Sequence, residues 1–300
     1  MKILISGASG FAGTALSQAL RTQGHKVAHL VRPGKALASG DVSWDPNSAT
    51  ADVPAMEGFD AVVNLSGAGV ADERWSDRRK QILRSSRVGT TRVLVDSLSH
   101  LERKPCVLVS ASAVGYYGNR GDAVLTESSG HGNDFLSILG RAWEAEALRA
   151  EPLGIRTAIL RFGVILSAGG GALPRMVRPF RFGFGGRLGT GEQWMPWIAL
   201  DDVLEIIRTV ICDERWRGPV NVVAPNPVRN SDFTRILAHV LRKSAIFPVP
   251  AFALRLTFGE MADALLLASQ HVTPARLITA GYSFRFPEIE PALRTMLCVS

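Results

Sequence analysis

The 300-residue chain carries three cysteines, Cys106, Cys212 and Cys298, an odd number with no two close together. That spacing excludes a C-x-x-C metal site and a disulfide framework, and it suits isolated thiols in a reducing compartment such as the cytoplasm. No uncharged apolar run reaches the 18 residues or so that a membrane span needs, so none is expected. The opening MKILISGASG breaks at glycine too early for a signal peptide. Lysine is scarce: Lys2, Lys26, Lys35, Lys80, Lys104 and Lys243 are all there is, and none lies between 104 and 243. Tyrosine is scarcer still, with Tyr116, Tyr117 and Tyr282. The 34 basic and 27 acidic residues leave a net charge of +7, spread without any basic run beyond DRRK at 77–80. A nucleic-acid footprint would cluster on one element, so nucleic acid is not an expected partner.

What is present alternates regularly. KILIS at 2–6 reads as a buried strand, GASGFAG as a glycine turn, TALSQALRTQGH as a helix, and KVAHLVR at 26–32 as the next strand. This is the first βαβ unit of a parallel sheet. Strands follow at 60–67, 105–112 and 155–166, with helices over about 76–99 and 134–150. The pattern predicts an α/β fold, a Rossmann-type doubly wound parallel sheet. The stretch after 166 is rich in Gly, Arg and Phe and is long for a connection, so 166–194 is expected to be a lid on the substrate side. WMPWIAL reads as one short strand, DDVLEIIRTVICDE as a helix capped by Asp201, and PVNVVAP as a strand. Helical segments near 231–242, 252–269 and 289–297 predict a smaller, mostly helical C-terminal lobe over 230–300, after a core of 1–229.

The turn Gly7-Ala-Ser-Gly10-Phe-Ala-Gly13 has a strand before it and a helix after it. Gly7 permits the tight turn, Gly10 lets a pyrophosphate approach the backbone, and Gly13 lets the helix pack close to the strand. With Ser9, Phe11 and Ala12 these residues are expected to hold the phosphates at the helix N-terminus. The second strand ends in Arg32 with Lys35 nearby, where an NAD site would place a carboxylate on the ribose. Arginine suits a 2′-phosphate and cannot accept a ribose hydroxyl, so the expected cofactor is NADP(H). Asn64, Leu65, Ser66 and Gly67 follow the 60–67 strand and are expected at the adenine-ribose end. Ser110 and Ser112 end the 105–112 strand, the edge where doubly wound folds bind ligands.

The glycine turn, DAVVNLSGA and VLVSASAVGYYG resemble the extended short-chain dehydrogenase/reductases, the superfamily of nucleotide-sugar epimerases and dehydratases. That resemblance implies a Ser or Thr after the fifth strand, a Tyr-x-x-x-Lys pair on the next helix and an Asn on the preceding one. The pair is absent from the whole chain. Its positions on DFLSILGRAWEAEA hold Leu136 and Gly140, and the Asn position in SSRVGTT carries Arg87. RAWEAEA, GGGALPRM, GTGEQWMPWIALDDV and the tail from VPAFALRLTF resemble a narrower group through nearly the whole chain. These are the atypical epimerase-family proteins with a C-terminal domain of unknown function. The narrower resemblance implies a sugar-nucleotide epimerase fold without the usual catalytic set. A plant branch of the group is linked to plastid division.

Two functions stay open. One is an oxidoreductase or epimerase-like enzyme of unknown substrate with an unusual proton donor. The other is a catalytically degenerate NADP(H)-binding regulator or scaffold. Ser112, Tyr116 and Tyr117 are the catalytic candidates, and Arg161 joins Ser110 on the cofactor side. Glu146 is read as an exposed helix position and Trp143 as core. Gln193 and Trp194 are expected to close over the cofactor. A homodimer is the base-rate expectation for a soluble protein.

Overall fold

Strand β1 (Lys2–Ser6) sends Ile3 and Ile5 into one hydrophobic cluster and Leu4 into another, and all three are fully buried. A strand apolar on both sides needs helices on both faces of its sheet. Helix α1 (Phe11–Thr22) covers the first face with Leu16 and Leu20. Strand β2 (Lys26–Val31) lies parallel to β1, followed by β3 (Val42–Asp45), β4 (Thr50–Ala51) and β5 (Ala61–Asn64). The structure, a computed structural model, describes residues 1–298.

The helix expected over 76–99 is three pieces: α2 (Asp77–Arg84), a π turn at Ser85–Gly89, and α3 (Thr90–Ser99). Ser76 caps α2 by accepting the Arg79 N–H. Helix α3 buries Leu94, Val95 and Leu98 against Leu4, Val62 and Leu108 on the second face. Then come β6 (Val107–Ala113), a 3₁₀ turn at Val114–Tyr117, β7 (Val124–Leu125), α4 (Phe135–Leu148) and β8 (Arg156–Phe162).

The segment expected as a lid contains β9 (Val164–Ser167), β10 (Gly170–Gly171) and α5 (Leu173–Arg181) before reaching β11 (Trp194–Met195). Pro196, which has no N–H to donate, splits WMPWIAL into β11 and β12 (Trp197–Ala199). Helix α6 (Leu200–Cys212) follows directly. The expected cap, Asp201, is therefore one residue inside the helix: extended Ala199 is the boundary, and Asp201 pairs with Arg285 at 2.9 Å instead. Strand β13 (Gly218–Val222) completes an eight-stranded sheet in the order β13-β8-β6-β5-β1-β2-β3-β4. Every neighbour pair in it is parallel except β3–β4. Strand β1 sits between β2 and β5, which puts the switch-point crevice at the C-terminal ends of β1 and β5.

The remainder holds β14 (Val228–Arg229), α7 (Asn230–Leu241), α8 (Ala251–Phe258), β15 (His271–Val272), α9 (Ala275–Thr279) and α10 (Ile289–Met296). The helix expected over 252–269 stops at Gly259, whose φ of +61° leaves the helical region. Leu173, Val177 and Phe180 of α5 share one buried cluster with Phe233 and Leu237 of α7 and Leu293 of α10. Helices α5, α7 and α10 thus form one packed unit. Strand β15 pairs with β7, and Gln270 donates to the Val114 and Gly118 carbonyls, so the tail also fixes the loop after β6.

Candidate active site and cofactor cleft

A cleft of about 650 Å³ opens at the switch point. Gly7, Ser9, Gly10, Arg32, Lys35, Leu65, Ser66 and Gly67 line it. The glycines are required by geometry. Gly7 has φ +72°, and a Cβ there would lie 2.6 Å from the Leu65 carbonyl carbon. A Cβ on Gly13 would lie 2.3 Å from the Gly7 oxygen. No side chain caps α1 at Gly10, which leaves its first-turn N–H groups for an anion. Phe11 and Ala12 occupy that first turn, and the Phe11 ring turns away to pack beneath Gly170 and Gly171 of the lid hairpin. The residues present fit a dinucleotide: the turn offers backbone N–H groups to a phosphate, and Arg32 and Lys35 line the same cleft.

Sequence reasoning missed part of this cleft. His29, Asp41, Trp44, Pro46 and Asn47 also line it. His29 stands 3.5 Å from Asp41, whose carboxylate accepts the His29 and Ala38 N–H groups. Only the end of β2 was legible as a cofactor contact; β3 and its flanks carry no motif that marks them.

Asn64 and Ser110 are fully buried behind the cleft. Asn64 donates to Thr91 at 2.8 Å and to Ser110 at 3.3 Å, and accepts from Ser6 at 2.7 Å. Ser66 donates to Ser6 at 3.0 Å. Of these residues Ser66 alone lines the cleft, and the network fixes the loop that carries it. On the π turn, Ser86 and Arg87 together hold Ala68: the Ser86 hydroxyl accepts the Ala68 N–H at 3.1 Å, and Arg87 donates to the Ala68 carbonyl at 3.0 Å.

The 3₁₀ turn after β6 separates the two tyrosines. Tyr117 is 0% exposed, donates to Asn221 at 2.7 Å and accepts from Arg161 at 2.9 Å. Burial pushes its phenol above the usual value, although Arg161 and Asn221 pull the other way. A phenol so enclosed cannot reach a ligand in the cleft. Tyr116 is half-buried and makes none of those hydrogen bonds. The Arg161 guanidinium lies over its ring at 3.7 Å. Its backbone packs on Gly140, where a Cβ would meet the Tyr116 Cα and Cβ at 3.4 Å, while Leu136 covers Gly115. Tyr116 therefore packs on Gly140 of α4, one of the two positions where the sequence resemblance expects the missing pair.

Arg161 and Ser112 are 3% and 2% exposed. Arg161 forms a two-pronged pair with Glu144, at 2.8 and 2.7 Å, and Ser112 donates to the same carboxylate at 2.6 Å. The Ser112 proton is thus committed to Glu144. Burial alone would lower the Arg161 pKa, but the Glu144 pair overrides it and raises it. Glu146, expected on the surface, is 9% exposed because Arg92 and Arg149 close over it. Trp143 is core, as expected. Gln193 is buried and donates to the Leu188 and Leu266 carbonyls; Trp194 stacks on His271 at 4.1 Å. Both tie the lid loop to the tail. Among the described residues, no group of three side chains could hold a metal ion, and no helix is long and apolar enough to cross a membrane.

A doubly wound sheet with a glycine-cradled cleft and a Ser/Tyr edge defines a dinucleotide-binding epimerase-type protein. The NAD dependent epimerase/dehydratase family matches residues 3–222, and a domain of unknown function matches 249–296. The chain belongs to the NAD dependent epimerase/dehydratase family. It is 40% identical to an epimerase family protein of Mycobacterium tuberculosis over 97% of this chain and 96% of the relative. It is 34% identical to the human epimerase family protein SDR39U1 over 99% of this chain and 100% of that one. The crystal structure of the human protein with NADPH superposes with a TM-score of 0.91, covering 99% of each chain at 33% identity. A nucleoside-diphosphate sugar epimerase from Corynebacterium glutamicum gives a TM-score of 0.82 at 37% identity, over 99% of this chain and 58% of that one.

Proposed function

We propose that the protein binds NADP(H) and acts as an oxidoreductase or epimerase-like enzyme whose proton donor is Tyr116. The observation that carries this reading is the placement of Tyr116 on Gly140. The Tyr116 Cα, Cβ and ring edge lie against the helix on which the sequence resemblance expects the missing pair. NADPH in the human relative, together with Arg32 and Lys35 on the rim of the cleft, supports NADP(H) over NAD(H). When bound, the nicotinamide ring supplies or accepts a hydride at a substrate carbon. In the reducing direction, the carbonyl carbon gains the hydride and the carbonyl oxygen gains the Tyr116 proton, which water then restores. The Arg161 guanidinium over the ring face holds the ring in place. Glu144 keeps Arg161 in place, and Ser112 keeps Glu144 in place.

We further propose that residues 1–229 form the NADP(H)-binding core. Segments 166–194 and 230–300 together make the substrate side, supported by the cluster they share. Isolated cysteines support a cytoplasmic protein, and a second copy is its expected partner. A regulatory role without turnover is favoured by one observation: the Ser112 proton is already committed to Glu144. The test is a titration of NADPH and NADH, followed by a screen of carbonyl compounds at the reduced-nicotinamide absorbance with wild type and Tyr116→Phe. Turnover lost in Tyr116→Phe with NADPH binding intact supports the enzyme. NADPH binding with no turnover on any substrate supports the regulator.

A further inference from the structure

Arg87 is a cation without a counter-charge. It is half-buried, and among the described residues no carboxylate lies within ion-pair distance of it. Its neighbour Arg79 has Asp72 at 3.9 Å and Glu73 at 3.6 Å, and Arg175 takes Asp72 at 2.9 Å. Arg161 has Glu144. Burial, and then the charge of Arg79, lowers the Arg87 pKa to about 10. That is the mark of a cation which the fold holds without neutralising it.

Its surroundings are shaped for a ligand. The guanidinium bonds the Ala68 carbonyl at 3.0 Å and the Leu83 carbonyl at 3.4 Å, which uses two of its five N–H groups. It lies over the Trp143 ring at 5.3 Å, and a Cβ on Gly67 would come 3.3 Å from its central carbon. Gly67 lines the cofactor cleft, and the Arg87 guanidinium stands directly behind it. Trp143 lies one helical turn beyond Gly140, on which Tyr116 packs. Arg87 and Tyr116 are therefore gathered on the same stretch of α4, at the C-terminal ends of the strands.

We propose that Arg87 is the recognition point for a carboxylate on the substrate, so that the substrate is an oxo acid or hydroxy acid. The planar fork of a guanidinium pairs with a carboxylate through two parallel bonds, and one fixed positive charge matches one carboxylate. Trp143 holds the fork flat, and the two backbone carbonyls fix its rotation. This inference rests on the oxidoreductase reading above. It uses binding rather than turnover as its readout, so the two can fail separately.

The experiment is calorimetric titration of the NADP⁺-saturated protein with pyruvate, 2-oxoglutarate, malonate and inorganic phosphate. The variants are Arg87→Met and Arg87→Lys, and NADP⁺ affinity is measured separately for each. The expected result is saturable binding of at least one carboxylate to wild type. At saturating NADP⁺ that binding weakens about 10-fold or more in Arg87→Met, a larger loss than any change in NADP⁺ affinity. Arg87→Lys keeps the charge, loses the fork, and should fall between the two. If Arg87→Met does not fold, a loss of about 10-fold in Arg87→Lys supports the inference in its place, and unchanged binding in Arg87→Lys overturns it. The inference is also overturned if no carboxylate of the set binds wild type, if phosphate binds as tightly as the best carboxylate, or if the variants lose NADP⁺ instead. The last outcome would make Arg87 a cofactor contact and leave the NADP(H) reading intact.

Discussion

Replacing Glu144 by Gln should be one of the most damaging single changes to this fold. The side chain keeps its size and loses its charge. The Arg161 side chain is only 4% exposed and that of Glu144 only 9%, so the remaining guanidinium would stay buried without a counter-ion. Stripping one partner from a buried pair costs about 3–5 kcal/mol. A domain has only about 5–15 kcal/mol of net stability, so the change is large. The control is two residues away on the same helix. Glu146→Gln breaks pairs with Arg92 and Arg149, which are 57% and 48% exposed and can turn to water. That loss should be about 0–1 kcal/mol. Urea unfolding of wild type and both variants gives the comparison, with the slope checked for constancy. If Glu144→Gln loses less than about 1 kcal/mol, or no more than Glu146→Gln, then Arg161 is not held as argued and its influence on Tyr116 falls with it.

Other outcomes follow from the same geometry. Arg32→Ala should weaken NADP(H) about 10- to 100-fold, as the loss of charge-assisted bonds to a phosphate, and leave NAD(H) nearly unchanged; calorimetry with both cofactors checks it. Gly13→Ala should abolish cofactor binding, because its Cβ would sit 2.3 Å from the Gly7 oxygen, and binding retained at wild-type affinity would refute the cradle. Tyr117→Phe should cost about 1–3 kcal/mol in a melting assay by leaving Asn221 and Arg161 short of a partner. Burial holds the Tyr117 and Tyr282 phenols above their usual value of 10. Above pH 10 the unfolded chain therefore releases protons that the folded chain keeps, and stability falls as pH rises. Among the described residues the buried Tyr282 hydroxyl has no hydrogen-bond partner, so Tyr282→Phe should flatten that alkaline decline at no cost in neutral stability.

The core of this fold was legible because its signals are local. A strand, a three-glycine turn and a helix stand in sequence within residues 2–22, and the arginine at the end of the next strand is read from position alone. The missing Tyr-x-x-x-Lys pair is equally plain, since counting lysines suffices. What stayed hidden depends on distance in the chain. Tyr117 is buried because Asn221 meets it from 104 residues away. Glu146 reads as exposed on its own helix, but Arg92 covers it from α3. The π turn at 85–89 divides the work between Ser86 and Arg87 in a way that no straight helix would suggest. The apolar pattern of the tail runs straight through Gly259, because nothing local announces its positive φ.

A crystal structure of the NADP⁺ complex would show whether Arg32 and Tyr116 stand at the two ends of the bound cofactor. The expected result is the 2′-phosphate within hydrogen-bond reach of Arg32 or Lys35, and the reactive carbon of the nicotinamide facing the Tyr116 hydroxyl across a gap that a substrate carbonyl can fill. A 2′-phosphate bonded to neither residue, or a nicotinamide turned away from Tyr116, would contradict it.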